Sequence, residues 1–598
     1  MRRLIFTLLM VVFTGMTVRA ARAFSEPFSI TQPDGTTLVI TLNGDEHFAW
    51  LTASDGTLLV EQGKGYYVAA IGDGGELSAT TVLAHQPGER NAAEQQACQK
   101  QLQRRELFHQ YADNTLQAAR RAQVTSTGYL PHTGSPKCLI ILVNFADVTF
   151  SSDDPVAQFE QYFNGKTQQN LGHNEQENIV SVRKYFEQSS HGMFTPQFDI
   201  VGPVTLPKNL AYYGANTSSF TRGSDARFNQ FCQDAIKAVD GLVDFKQYDN
   251  QGLNRAELVC VIYAGYGEHV IENPSNTLWP KCSYQGFVTD DAITVNYMNC
   301  SPELFRMSKG SDINGIGSFC HEFSHGMGLP DLYATVPSAQ INNQTPEFWD
   351  LMDYGGHARN GYAPAPFTAW EQEVMGWIDV EELTGSRSSI ALTPLMKGGK
   401  AYKFSNGANS EEWMMIENVQ SFDYDSRTLG FRYGHGLLVT HLAYSSATVN
   451  MGDYPNNTAN KPRVSIVPAD GLVINGYQFG DGKPYTQAEY TNNMGGDPFP
   501  GTGNVTELNA DLALPNYKFY NGEETPVFKL KNIVEDTTTG IVTFDFDDGT
   551  TTITAVKEEQ SDDTDNGYYT LDGRRLDGQP TTRGLYIHNG KKVVVPKH

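Results

Sequence analysis

The segment HEFSHGMGLPD at 321–331 sets His321, Glu322, His325, Gly328 and Asp331 at a spacing suited to metal chemistry. Residues four apart share one face of a helix, so His321 and His325 can aim two imidazoles at one ion. Glu322 follows the first histidine, placed to polarise a water on that ion. Gly328 can end the helix and reverse the chain. Asp331 then returns within reach as a third ligand. Catalytic zinc takes three protein ligands and keeps one position open, so this set implies one Zn2+ and metal-assisted hydrolysis of peptides.

A second segment, Trp349-Asp350-Leu351-Met352-Asp353-Tyr354-Gly355, follows Asp331 at a short distance. Metzincin peptidases carry a Met-containing turn beneath the metal after an extended HExxHxxGxx(H/D) motif. Met352 resembles that methionine, and Tyr354 resembles the tyrosine some metzincins use to stabilise the oxyanion. HEFSHGMGLPDLY followed by WDLMDYG is similar to the immune inhibitor A family of secreted bacterial zinc metallopeptidases. CLIILVNFAD (138–147), SVRKYFEQSSHGMF (181–194), ELVCVIYAGYGE (257–268) and AWEQEVMGWI (369–378) fit the same resemblance. It covers about 137–380 well and continues more weakly to about 545. It implies a secreted zinc endopeptidase, made as a zymogen, with Glu322 as general base and protein or peptide substrates. The third ligand stays open at this level. Glu347 and Glu371 lie where a later helix could supply a carboxylate instead, as in thermolysin-like enzymes, although no NExxSD-type helix accompanies them. A rival reading is a catalytically inactive surface adhesin built on a metallopeptidase scaffold, against which the intact His321, Glu322 and His325 argue.

These residues need elements to hold them. Strand-like runs at 138–145, 197–206, 257–263 and 293–298 and helix-like runs at 178–190, 225–239 and 311–328 predict an α+β fold, a sheet over an active-site helix on the zincin (metzincin-like) plan. Five regions follow: a signal peptide at 1–23, a propeptide at 24–136, the catalytic domain at 137–380, a β-sandwich at 381–547, and an acidic linker with a short C-terminal β module at 548–598. The signal peptide rests on Arg2 and Arg3, a short apolar run, and Ala21-Arg22-Ala23 as the cleavage pattern. The propeptide reads as short strands with Asp-Gly turns, then a polar helix at 89–124 and a Gly/Pro/Ser linker whose neighbours Arg120 and Arg121 offer activation sites. The sandwich rests on short strands with Gly, Asn and Pro turns. The closing GYYTLDGRRLDGQPTTRGLYIHNGKKVVVPKH resembles C-terminal modules of secreted Bacteroidetes proteins, which implies sorting or surface attachment.

The net charge of −24 argues against nucleic acid and anionic membranes as partners. No run after the leader is long and apolar enough to span a membrane, so an exported, secreted or cell-surface protein is expected. Asp249, Asn250 and Glu257 resemble a calcium loop with its acids thinned, a candidate Ca2+ site. His435 and His441 show no evident acid partner and read as structural. Seven cysteines lack any CxxC spacing; Cys282 and Cys300 could pair, and Cys98 could cap the metal from the propeptide, although an idle thiol is the better reading there.

Overall fold

The computed structural model describes residues 18–19, 22–45, 48–121, 128–165, 177–217, 222–405, 411–421, 433–473, 487–521, 526–549, 567–589 and 591–596. Most of the expected signal peptide and most of the acidic linker lie outside these residues. The chain separates into two compact units, Met1–Gly549 and Thr550–His598.

In the first unit, a six-stranded mixed sheet carries the candidate site. Its order is Val18–Arg19, Lys281–Val288, Thr294–Leu304, Arg255–Tyr266, Lys137–Asn144, Gln197–Thr205. The last four strands run parallel, while Lys281–Val288 pairs antiparallel with Thr294–Leu304. Lys137–Asn144 and Arg255–Tyr266 read as unbroken apolar runs because both of their faces are covered. Cys138, Ile140, Leu142, Cys260 and Ile262 face one core, with Phe319 and Phe323 of the active-site helix. Leu139, Ile141, Val143, Val259 and Val261 face the other, with Phe231 and Ala235 of the helix Phe228–Val239. The period of two along each strand thus divides its side chains between two helical layers.

The expected helices appear with trimmed ends. Val182–Ser189 starts where the Ser181 hydroxyl accepts from the Lys184 N–H. The helix carrying the two histidines is Ile316–Gly326, shorter at both ends than the expected 311–328, and the Ser/Asp start signal does not cap it. Ile313 instead bridges to Leu304, and the Asn314 N–H bonds to Glu303, so this stretch extends the sheet edge. The Asn178 side chain then accepts from the Ile316 N–H.

Ahead of the six-stranded sheet's longer strands, Phe28–Thr31, Thr37–Gly44, Ala49–Ala53, Leu58–Gln62 and Gly65–Val68 form an antiparallel meander. Two helices follow, Ala92–Gln103 and Arg105–Arg121. This small sheet shares its core with Ile271 and Trp279. Phe48, Trp50 and Phe108 pack with Ala334, Val336 and Ala339, which follow closely on Asp331. After the catalytic region come a five-stranded and a three-stranded sheet. Met414, Ile416, Leu437 and Val439 of the first meet Leu530, Val542 and Phe544 of the second in one core. The second unit, Thr550–His598, holds a four-stranded antiparallel sheet in which Tyr568 stacks on His588 at 4.1 Å.

All seven cysteines are free thiols. Cys282 and Cys300 do not pair: Cys282 sits opposite Asn299 and Lys281 opposite Cys300, so the two thiols point into different cores. Cys98 is half-buried against the core of the small N-terminal sheet, where burial pushes its thiol up and so disfavours the thiolate.

Candidate metal centre

Every residue of the helix Ile316–Gly326 is buried. The helix crosses under the strap Tyr354–Gly361 so closely that a Cβ on Gly317 would lie 1.9 Å from the Gly356 carbonyl oxygen. Glycine is therefore required there for contact. Past the helix, Gly328 adopts φ +101, a backbone shape glycine takes without strain. Its N–H bonds to the His325 carbonyl, and Leu329 N–H bonds to Ser324. The chain reverses at this point and brings Asp331 back over the helix.

His321, His325 and Asp331 offer ligand atoms within 4.8 Å of one another, all buried, and they are the one such group of three among the described residues. Each imidazole is oriented by a backbone carbonyl: His321 Nδ1 donates to Leu351 O at 2.9 Å and His325 Nδ1 to Leu329 O at 2.7 Å. With the protons on Nδ1, both Nε2 lone pairs face inward. Asp331 Oδ1 lies 3.1 Å from His321 Nε2 and 3.2 Å from His325 Nε2. Lone pairs facing a carboxylate repel unless a cation or a proton lies between them. Ligands about 2.05 Å from a tetrahedral ion stand roughly 3.3 Å apart, close to these separations. His325 Nε2 is buried without a hydrogen bond, as a ligand awaiting a cation would be. The donor set therefore fits a zinc-like ion.

The protonation states agree with that fit. Burial holds the His325 imidazole below its ordinary value, hence neutral. Neutral imidazoles and an ionised carboxylate are what a divalent cation binds.

Glu322 is fully buried on the same helix. Met352 is fully buried in the core beneath the site, and its carbonyl accepts from the Leu332 N–H, next to Asp331. The segment Trp349–Gly355 thus supports both histidine and aspartate. The Tyr354 hydroxyl accepts from the Ser25 N–H at 2.9 Å, and its ring packs on Phe348 and His357.

Glu347 and Glu371, the rival third ligands, stand outside the cluster. Glu347 accepts from the Tyr490 hydroxyl and faces Arg22 at 3.6 Å. Glu371 caps its own helix, accepting from the Thr368 N–H at 2.9 Å, and burial together with the Asp350 charge pushes its carboxyl well up. The calcium candidates use their oxygens to close their own loop. Asp249 accepts from the N–H groups of Leu253 and Asn254, both at 2.8 Å, and Glu257 accepts from Asn250 Nδ2 at 3.0 Å. The two histidines read as lacking acid partners have them: His435 meets Glu535 at 2.7 Å and buried His441 meets Glu412 at 3.3 Å. Both acids come from distant segments, which is why the local sequence hid them.

The sequence reading missed Arg22, Asp353 and His357. Arg22 is buried between Glu347 and Asp353, and its carbonyl accepts from His357 Nε2 at 3.0 Å. His357 is held down to about 3 by burial. Two acids flanking a Met-containing turn were the available signal, but their joint partner lies in the N-terminal segment.

Residues 125–255 and 306–378 match the family model of the immune inhibitor A peptidase M6 catalytic domain. Over 272 residues the chain is 22% identical to Immune inhibitor A of Bacillus thuringiensis subsp. alesti, covering 40% of this chain and 39% of that protein. Over 250 residues it is 23% identical to the pre-pro-metalloprotease PrtV of Vibrio cholerae serotype O1 (strain M66-2), covering 35% of this chain and 25% of that protein. The matches thus span well under half the length of either relative. The resemblance read from the motifs is borne out, and the mixed α/β fold with further β-rich regions accords with it.

Proposed function

From the premise that residues 125–255 and 306–378 form an M6-type metallopeptidase catalytic domain, we propose that this protein is a secreted zinc endopeptidase of zincin, metzincin-like architecture, made as a zymogen. The observation that carries the proposal is the convergence of His321 Nε2, His325 Nε2 and Asp331 Oδ1 on one point, with each imidazole locked by a backbone carbonyl. When bound, zinc would polarise the scissile carbonyl and lower the pKa of the attacking water. Glu322 accepts the proton from that water at its carboxylate and passes it to the departing amine nitrogen. Asp331 supplies the anionic ligand, and Met352 floors the site. Tyr354 is the candidate donor to the developing oxyanion. Its hydroxyl is held by Ser25 in the present form, so it becomes available when the N-terminal segment withdraws.

The same contacts support latency. Residues 24–136 are proposed as a propeptide whose small sheet packs on 334–339, beside the third ligand. Residues 1–23 are the proposed export signal, 381–547 an accessory β region, and 548–598 a linker and sorting or attachment module. No described helix is long and apolar enough to cross a membrane. Calcium is not part of the proposal.

Casein digestion by the exported, processed protein tests the reading. Cleavage should be abolished by a chelator, return with added zinc, and be missing in Glu322→Ala, which still binds metal. Chelator-insensitive cleavage, or normal turnover by Glu322→Ala, would refute it.

A further inference from the structure

Arg22 enters a closed acidic pocket beside the metal centre. Its guanidinium is 3.6 Å from Glu347 Oε2, 3.8 Å from Asp353 Oδ1 and 4.9 Å from the centre of the Tyr354 ring, and the residue is only 5% exposed. Arginine suits such a place, because its flat, weakly hydrated cation can meet carboxylates and an aromatic face together. The next residues lie along the catalytic region like a bound peptide. Phe24 N–H donates to the His269 carbonyl, Phe24 bridges Val270, and Ser25 N–H donates to the Tyr354 hydroxyl.

Glu347 accepts from the Thr345 and Tyr490 hydroxyls and Asp353 Oδ2 from the Glu347 N–H, yet Arg22 is a single cation facing two acids. Asp353 Oδ1 is buried without a hydrogen bond, and Arg22 is too far away to provide one. The two carboxylates repel each other where water cannot screen them. Burial and the Asp353 charge push Glu347 up to about 7 despite Arg22. The pocket also lies close to the candidate metal cluster. Asp353 stands two residues from Leu351, whose carbonyl orients His321, so their Cα atoms are at most roughly 7 Å apart.

We propose that the Glu347–Asp353–Tyr354 pocket is a specificity subsite for an arginine or lysine side chain of the peptide substrate, and that Arg22 occupies it as a substrate mimic. If leader removal follows Ala21-Arg22-Ala23, Arg22 departs and the pocket is open to substrate. If it falls earlier, Arg22 remains as an internal blocker until the propeptide leaves. The inference rests on the peptidase reading of the same site.

The test uses the exported, processed, zinc-loaded protein and a peptide series with Arg, Lys, Gln, Leu or Glu at each position flanking one scissile bond. At one position, Arg and Lys should exceed Gln in kcat/KM by at least about tenfold, because an uncharged side chain leaves the buried acids without a countercharge. In Glu347→Gln/Asp353→Asn the Arg-to-Gln ratio should fall towards one; being a ratio within one protein, it is insensitive to how much of the variant folds. A competition measurement needs no variant: Ala-Arg-Ala-Phe-Ser should inhibit the parent enzyme better than Ala-Gln-Ala-Phe-Ser. Chelator-sensitive cleavage without a basic preference at any position would overturn the subsite and leave the peptidase reading standing. Absence of any chelator-sensitive cleavage would overturn both.

Discussion

Exchanging Asp331 for Asn while separately exchanging Glu371 for Gln separates the two ways in which this site could be completed. Asp331 provides the only carboxylate of the convergent triad, 3.1 and 3.2 Å from the two Nε2 atoms. Losing a residue that merely orients a ligand commonly lowers metal affinity 10- to 100-fold. Replacing a ligand's charge should exceed that, so Asp331→Asn is expected to weaken zinc by at least about a hundredfold, or about 2.7 kcal/mol. Glu371 behaves differently. Burial and the neighbouring Asp350 hold its carboxyl protonated, and its defined contact is with the Thr368 N–H. Glutamine is neutral and of similar shape and keeps an acceptor for that bond, so Glu371→Gln should leave zinc affinity within about twofold. Zinc per chain, measured after dialysis against a graded chelator, reads both variants, with casein cleavage as the second signal. If Glu371→Gln sheds metal and Asp331→Asn retains it, the triad is wrong and a distant glutamate completes the site.

Three further outcomes follow from the geometry. Glu322→Gln should keep full zinc and lose roughly a hundredfold or more in kcat, the usual scale for a general base; loss of metal instead would make Glu322 a ligand. Asp350 is pushed up to about 6 by burial, above its ordinary value, so the folded state binds the extra proton and the associated stability is lost as pH rises through about 6. Between about pH 5 and pH 8, Asp350→Asn should therefore lose roughly 1 kcal/mol less stability than the parent, read from paired unfolding midpoints; parallel curves would contradict the buried carboxyl. Cleavage between about 120 and 137 should raise specific activity, and equal activity of the long and trimmed forms would refute latency.

What the sequence made legible was local. The candidate ligands fall within eleven residues, and helix geometry plus one glycine sufficed to bring them together. The strands Lys137–Asn144 and Arg255–Tyr266 declared themselves as apolar runs because they are covered on both faces. The strand Lys281–Val288 was not anticipated. It contains Lys, Ser, Gln and Gly, and the buried Lys281 is met by Asp225 at 2.7 Å and by the Gly223 carbonyl at 2.8 Å. Such a partner is fixed by tertiary contact and leaves no periodicity to detect. The acid partners of the two histidines of the later β region were missed for the same reason, since Glu412 and Glu535 arrive from other segments. Tyr354 followed from motif position, but its hydroxyl partner, Ser25, belongs to the N-terminal segment.

The segment Trp349–Gly355 touches both the candidate metal cluster and the acidic pocket. Its Leu351 carbonyl fixes the tautomer of His321, and its Met352 carbonyl anchors the chain at Leu332, beside Asp331. Its Asp350 side chain accepts from the Met352 N–H at 2.6 Å and from the Thr368 hydroxyl at 3.2 Å, holding the turn in place. Its Asp353 reaches the opposite way, accepting from the Glu347 N–H at 2.7 Å and facing Arg22. Glu347 has φ +53, an uncommon backbone shape for a residue with a side chain, and this hydrogen bond helps to hold it there. A change in what fills the acidic pocket therefore acts on a turn that also carries the carbonyl orienting a metal ligand. Filling the pocket with a cationic side chain relieves repulsion between its two acids while leaving the metal-supporting carbonyls in register. If the acidic pocket takes a substrate side chain, as proposed, that side chain would also steady the turn whose Leu351 carbonyl holds His321, coupling recognition to metal geometry through three consecutive peptide units.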